Sequence, residues 1–489
     1  MTFDWRRRAI EYDAFVYDWS QPGRFPTIAW DRTHHNMSGD TYKMPSYYGD
    51  RRLNMDGTQE GLGQIASVVG ATLVGIDKSN QDGIDYVDML RTFYVPELGI
   101  ARNQPAADRT GESYWYTAAV NVLYFMLGAL YPDATNMTEM LRSIADRFYE
   151  QVVALGGADA NFDGQGFDFS TMTKSAGSRN EGGEGAAGTA AIALWAHGKF
   201  GDAKYLDAAK WSMDYLERSE SSLFYEMLLQ LAPYLAARMN AQFGTGYDVG
   251  KYFDWILGGS AVRPGWGTIL QRWGSYDAYG LIGSQTDGGG YAFAMNTFAA
   301  PLFAATAKYD PRFADTVGRW MLNVYHAARF FYADQMPAGN QWYGATYVDD
   351  PAHVIPYEGL RATENGQTPN ATGDPATYGK RWGLDTDVTT DLGLYGGSWV
   401  GFLAGSVGPT NVANVLRTDL NALDFHAPAS CPTYLYYNPT SGPVGVEVTL
   451  TDATDLYDKV ADRVLLHSVS GTQTVTIPPG STILEIRAR

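Results

Sequence analysis

The feature that most constrains this chain is a rhythm: helical stretches come in close pairs, and long Gly- and Asp-rich connections separate one pair from the next. A repeated helix-turn-helix unit cannot bury its apolar face alone, so successive units must stack, and the pattern predicts a closed ring of hairpins. The first helix of each pair is rich in small and apolar residues, as in 185–195 and 292–307. A helix apolar nearly all round belongs inside. The second helix carries charge on one face and apolar residues at helical spacing on the other; Tyr205, Ala208, Trp211, Tyr215 and Leu216 show it, which assigns such helices to an outer layer.

The predicted pairs are 57–77 with 82–93, 111–131 with 134–153, 183–199 with 202–217, 223–240 with 248–257, 292–308 with 311–331, and 392–406 with 410–421. Pro132-Asp133, Gly201-Asp202 and Asp310-Pro311 mark three of the short links, with Pro suited to a first helical turn. The long connections, 94–110, 154–182, 258–291 and 332–391, all lead into the first helix of the next pair. One rim therefore collects the N-termini of the inner helices, where free N–H groups bind oxygens and favour anions. Beyond about residue 430 the pattern changes to short β-rich runs, 434–437, 444–450, 464–469, 472–477 and 482–486, broken by Gly and Pro. The expected architecture is mainly α: an N-terminal strap over 1–50, a helical toroid over 51–428 and a small antiparallel β domain over 429–489, with 455–458 as a turn or edge.

A formal net charge of -18 argues against nucleic acid as a partner, since Lys and Arg concentrate only at Arg6-Arg7-Arg8, which reads as a solvated helix face. The single cysteine, Cys431, rules out an intramolecular disulfide. No apolar run is long enough to span a bilayer, and residues 1–20 contain no uninterrupted apolar stretch, so a cytoplasmic location is expected unless a signal was removed.

The chain holds 33 Tyr and 13 Trp, many of them in the predicted loops. Flat rings with polar edges suit sugar faces, and Tyr47, Trp115, Trp273, Trp342 and Trp382 are candidates for that role, against the alternative of packing at helix ends. Carboxylates supply a second signal. The segment 178–185 opens the third inner helix with Glu181 and Glu184 three residues apart, where the competing role is to satisfy the helix's free N–H groups. Asp287, followed by three glycines, precedes the fifth inner helix; Asp385, Asp387 and Asp391 precede the sixth, and Glu112 falls in the first turn of the second. Hydrolysis of a glycosidic bond needs one carboxylic acid and one carboxylate, and Glu184 with Asp287 is the preferred pair, Glu181, Glu112 and Asp387 being substitutes. Arg109 and Arg179 join them at the rim.

His34 and His35 sit side by side in a loop. One of them, with Tyr47 or a rim Arg, can instead serve elimination from a uronate, or both belong to an ordered strap. No His/Cys spacing suggests zinc. Asp159, Asn161 and Asp163, ahead of Gly164, match the first half of a calcium loop but lack its twelfth-position acid, which is Ser170; no cofactor is otherwise required.

Over about residues 50–425, through NEGGEG at 180–185, SQTDGGGYAFAMNTF at 284–298 and DLGLYGGSWVG at 391–401, the chain resembles the six-hairpin, or (α/α)6-toroid, group of glycoside hydrolases and polysaccharide lyases. The resemblance implies a carbohydrate-active enzyme acting on an oligo- or polysaccharide. Hydrolase chemistry comes first, lyase chemistry on a uronic-acid glycan second; sugar isomerisation or epimerisation and non-catalytic glycan binding remain open beside them.

Overall fold

The structure, a computed structural model, describes residues 3–20, 26–46, 59–105, 113–286, 289–340, 353, 355–356, 358–363, 366–370 and 392–488. Its helices in chain order are α1 (Trp5–Val16), α2 (Gly61–Leu73), α3 (Tyr86–Met89), α4 (Tyr114–Leu130), α5 (Met137–Ala154), α6 (Gly182–Phe200), α7 (Ala203–Arg218), α8 (Ala232–Phe243), α9 (Val249–Gly258), α10 (Ala294–Phe298), α11 (Thr306–Tyr309), α12 (Ala314–Ala327) and α13 (Val400–Ser406). The inner ring runs α2, α4, α6, the 3-10 turn Leu228–Leu231 with α8, the broken segment from α10 to α11, and α13, which packs back on α2. The fold is an (α/α)6 toroid with a C-terminal sheet. The burial pattern agrees with the two-layer reading: α6 is buried from Gly182 to Ala196, whereas α7 buries only Tyr205, Ala208, Ala209, Ser212, Met213, Tyr215 and Leu216.

Several expectations are corrected. Residues 410–421 do not form the sixth outer helix: Leu416–Asp419 is a strand whose residues alternate between buried and more exposed, a period of two rather than 3.6. The vacant outer place is filled by α1, whose Trp5, Arg8, Ala9, Tyr12, Asp13 and Val16 form a buried stripe packed on α13 and α2. The N-terminal region is thus part of the toroid, not a strap laid over it. Residues 223–227 are not helical, and the fifth inner helix breaks at the 3-10 turn Ala300–Phe303 because Pro301 has no N–H to continue the ladder.

Four rim strands, β1 (Trp266–Thr268), β2 (Ile282–Ser284), β3 (Tyr291–Phe293) and β4 (Gly359–Arg361), pair antiparallel in the order β4-β3-β2-β1 and lead into α10. The C-terminal sheet comprises β5 (Val407–Pro409), β6 (Leu416–Asp419), β7 (Thr433–Asn438), β8 (Val444–Asp458), β9 (Arg463–Ile477) and β10 (Gly480–Ala488), antiparallel in the order β5-β6-β7-β10-β8-β9. It begins at Val407, not 429, and 455–458 lies within β8 rather than at a turn. The sheet packs on α12, where Gly318 admits Tyr437: a Cβ there would stand 2.7 Å from the Tyr437 Cβ.

The ring is closed at one end. Residues 424–426 meet the C-terminal parts of the inner helices: Asp424 accepts from Lys308 Nζ at 2.7 Å and Tyr234 Oη at 2.9 Å, Arg238 donates to the carbonyls of Phe425 and His426 at 3.0 and 2.9 Å, and His426 Nε2 lies 2.8 Å from the Phe125 carbonyl. The other end holds the N-termini of the inner helices. Among the described residues, no helix is long and apolar enough to cross a membrane.

Candidate active site

Each inner helix starts beside a polar side chain, and these side chains converge. Glu60 is the N-cap residue of α2; its oxygens accept from Ser46 Oγ at 3.1 Å and Asn103 Nδ2 at 3.0 Å. Tyr116 lies in the first turn of α4. Glu181 is the N-cap residue of α6, 2% exposed, and its Oε2 accepts from the Trp115 N–H at 3.3 Å. Glu226 precedes the 3-10 turn of the fourth inner segment and is bonded by Arg263 Nη1 and, at 3.4 Å, by Asn296 Nδ2. The Glu358 carbonyl receives the first N–H of α10 at 2.6 Å, while its carboxylate accepts from Tyr291 Oη. Tyr395 precedes the 3-10 turn Gly397–Trp399 that leads into α13.

Electrostatic interactions link these groups through two tyrosine hydroxyls. Burial raises the Tyr116 hydroxyl well above its ordinary pKa, and Glu60, Glu226, Glu358 and Glu181 raise it further. Burial does the same to Tyr395, helped by Glu60, Tyr116, Glu226 and Glu358. Tyr116 is nevertheless 38% exposed. Tyr116 thus stays in contact with water while the four glutamates act on its hydroxyl. Burial pushes the Glu181 carboxyl up to about 7, against its bonds from Ser113 and Trp115. Burial also raises Glu226, with Arg263 opposing it. Arg263 in turn lies 3.5 Å over the Trp266 ring and donates to the Tyr225 carbonyl at 3.0 Å, while Arg179 donates to Tyr225 Oη at 3.1 Å. Trp266, Phe293 and Tyr395 continue as an aromatic wall, with centroids 6.0 Å apart for the first pair and 6.4 Å for the second.

Glu184 is placed differently from its neighbour three residues earlier. It is 0% exposed and its oxygens accept from the N–H groups of Tyr225, Glu226 and Leu228 at 3.2, 2.9 and 2.6 Å, so it anchors the segment that carries Glu226. Burial pushes its carboxyl up to about 7, with these backbone bonds opposing. The glycines around it serve packing: a Cβ at Gly182 would stand 2.5 Å from the Phe162 carbonyl oxygen, and one at Gly183 2.4 Å from that of Leu223.

Of the other sequence candidates, Trp115 is 4% exposed and offers its backbone N–H to Glu181. Trp273, 3% exposed, packs under Gly290, where a Cβ would stand 2.9 Å from its ring. His34 is half-exposed with Nε2 2.8 Å from Asp40 Oδ1, and the His35 carbonyl accepts from Thr92 Oγ1 at 3.1 Å, both in the loop between the ribbon strands Ala29–Asp31 and Thr41–Lys43. At the calcium-like loop Lys174 Nζ donates to Asn161 Oδ1 at 3.3 Å and to the Asp163 carbonyl at 2.9 Å; Asp159 ends a 3-10 turn. Among the described residues, no group of three or more His, Cys, Asp or Glu is placed to hold a metal ion. Tyr47, Arg109, Glu112, Asp287, Trp342, Trp382, Asp385, Asp387 and Asp391 lie outside the described residues.

Sequence reasoning missed Glu60, Tyr116, Glu226, Glu358 and Tyr395. The signal that singled out Glu181, an acid at the start of an inner helix, applies equally to Glu60 before Gly61. Glu226 falls in the first turn of the predicted helix 223–240, so the same signal applies to it as well.

No family model matches the sequence. No curated protein matches it either. Among solved structures, the chain is similar to the cellulase Cel9M of C. cellulolyticum, with 13% identity over 83% of this chain and 98% of that one and a TM-score of 0.40. It is also similar to an alpha-L-rhamnosidase from Dictyoglumus thermophilum, with 8% identity over 98% of this chain and 49% of that one and a TM-score of 0.38. The chain thus spans about half the length of the rhamnosidase.

Proposed function

We propose that the chain is a carbohydrate-active enzyme, a glycoside hydrolase that cleaves an oligo- or polysaccharide in the cup at the N-terminal ends of its inner helices. The observation that carries this reading is the convergence of Glu60, Glu181, Glu226 and Glu358 on the hydroxyl of Tyr116 beside an aromatic wall. Glycoside hydrolysis asks for one carboxyl that holds a proton near neutral pH and one carboxylate. Glu181, with its pKa pushed up to about 7, is assigned as the acid that protonates the leaving oxygen. Glu226, which Arg263 helps to keep ionised, is assigned as the carboxylate that activates water or attacks the anomeric carbon. Asp287 is retained as an alternative carboxylate; Glu184 acts through the Glu226 backbone as a positioning residue.

Two observations favour hydrolysis over elimination. Tyr116 and Tyr395 hold their protons and so make poor bases. The acidic lining around the cup also disfavours the carboxylate of a uronate, which points to neutral sugars at the cleaved bond. The test is a glycan-panel incubation that reads new reducing ends together with the ultraviolet absorbance of a new double bond. Reducing ends without absorbance, lowered about a hundredfold or more in both Glu181→Gln and Glu226→Gln, are expected. Absorbance in the products, or undiminished turnover by either variant, would overturn the assignment.

A further inference from the structure

Away from the cup, a second cavity of about 670 Å³ opens where the outer face of α12 meets the ribbon formed by Arg272–Trp273 and Tyr276–Asp277 and the turn between β5 and β6. One wall is a polar stripe. Asn323, His326 and Arg329 follow at three-residue spacing along the end of α12 and the 3-10 turn after it, so their side chains share one side. Tyr276 and Tyr279 line the cavity from the ribbon side, and Asn414 from the C-terminal sheet. The Trp320 indole N–H donates to the Gly280 carbonyl at 3.0 Å and holds the ribbon region against α12.

The charge balance of this cavity runs against that of the whole chain, which carries -18. Asp277 lines it, but Arg272 Nε holds its Oδ1 at 2.7 Å; Asp334, next to the lining residue Gln335, is held by Arg8 Nη2 at 2.6 Å. Arg329 is different: among the described residues no carboxylate pairs with it, and its Nε is buried without an acceptor. A buried donor left unmade is a standing penalty that a ligand oxygen would relieve. His326 beside it is driven toward the neutral form by burial and by Arg329, which leaves it as a hydrogen-bonding group.

We propose that this cavity is a second, non-catalytic saccharide site that takes an acidic sugar, with the sugar carboxylate on Arg329 and its hydroxyls on Asn323 and Asn414. A guanidinium presents a planar fork that matches a carboxylate, and tyrosine rings cover the apolar face of a pyranose. Its residues belong to the outer layer, the 272–279 ribbon region and the C-terminal sheet, whereas the cup is built from inner-helix starts, so the two sites stand or fall separately.

The test titrates the full chain with glucuronic acid, glucose and inorganic phosphate, following intrinsic fluorescence and saturation-transfer NMR, on wild type, Arg329→Gln and Tyr279→Ala. Glucuronic acid is expected to bind wild type, to weaken about tenfold to a hundredfold in Arg329→Gln, and to outbind glucose by a similar factor. Tyr279→Ala must also weaken it, which keeps the test decisive if Arg329→Gln does not fold. Three results would overturn the proposal: no binding of glucuronic acid to folded wild type, binding indifferent to both substitutions, or phosphate binding as tightly as the sugar acid, which marks a free oxyanion site. Because the readout is binding rather than turnover, failure here leaves the hydrolase assignment untouched, and the reverse holds as well.

Discussion

The ring closes where α13 crosses α2, and that crossing rests on two glycines. An alanine Cβ at position 401 would stand 2.2 Å from the Gly70 carbonyl oxygen and 2.3 Å from both its carbonyl carbon and its Cα. These neighbours are backbone and cannot swing aside, so restoring ordinary contact requires the helices to part by about 1 Å, the kind of overpacking that costs about 1–3 kcal/mol. Helix propensity opposes the loss, since alanine exceeds glycine by about 1 kcal/mol in a helix. Position 63, also in α2, supplies the control. A Cβ there meets Met44 Cε at 3.5 Å and Ser398 Oγ at 3.8 Å, ordinary contacts, so Gly63→Ala should keep most of the propensity gain. Gly401→Ala should therefore unfold at lower urea than Gly63→Ala by about 1–3 kcal/mol at equal m-value. Because Glu60 immediately precedes α2 and Tyr395 leads into α13, the same displacement should lower glycan turnover in the folded Gly401→Ala protein. Equal urea midpoints for the two variants would refute the claim that the ring closes backbone to backbone at this crossing.

Asp424→Asn should destabilise the protein by about 3–5 kcal/mol in urea denaturation, because it leaves Lys308 and Arg238 buried against a neutral amide at the closed end of the ring. Glu181 and Glu184, with carboxyls pushed from 4.5 to about 7, hold protons in the folded chain that the unfolded chain has already lost. Their contribution to stability is thus fully present below about pH 4.5 and lost as pH rises through 7, by up to about 3 kcal/mol for each group. Urea midpoints at pH 5 and pH 8 should show this fall, and Glu181→Gln should reduce it. Arg263→Gln removes the cation bonded to Glu226, so the acid limb of the pH–rate profile should move to higher pH by about one unit. An unchanged limb would take Glu226 out of the ionisable pair.

Much of the architecture is local information. The small-residue character of 185–195, the apolar stripe of α7 and the links at Pro132, Gly201 and Asp310 are set by residues within a turn or two of one another, and a period of 3.6 reads the same before and after folding. That determined by itself the two-layer helical ring, the terminal sheet and the presence of Glu181 at an inner-helix start. Tertiary structure alone decided the rest. The place left by 410–421 was taken by α1, nearly four hundred residues earlier in the chain, because a buried stripe specifies that a helix is covered but not by which partner. Glu184 looked equivalent to Glu181 along the chain, yet its carboxylate is held by N–H groups 41, 42 and 44 residues further on. Glu60, Glu181, Glu226 and Glu358 act on one tyrosine because ring closure brings four helix starts to one axis. Desolvation and charge crowding, the forces that move their proton affinities, depend on that closure and leave no mark on the local pattern of residues.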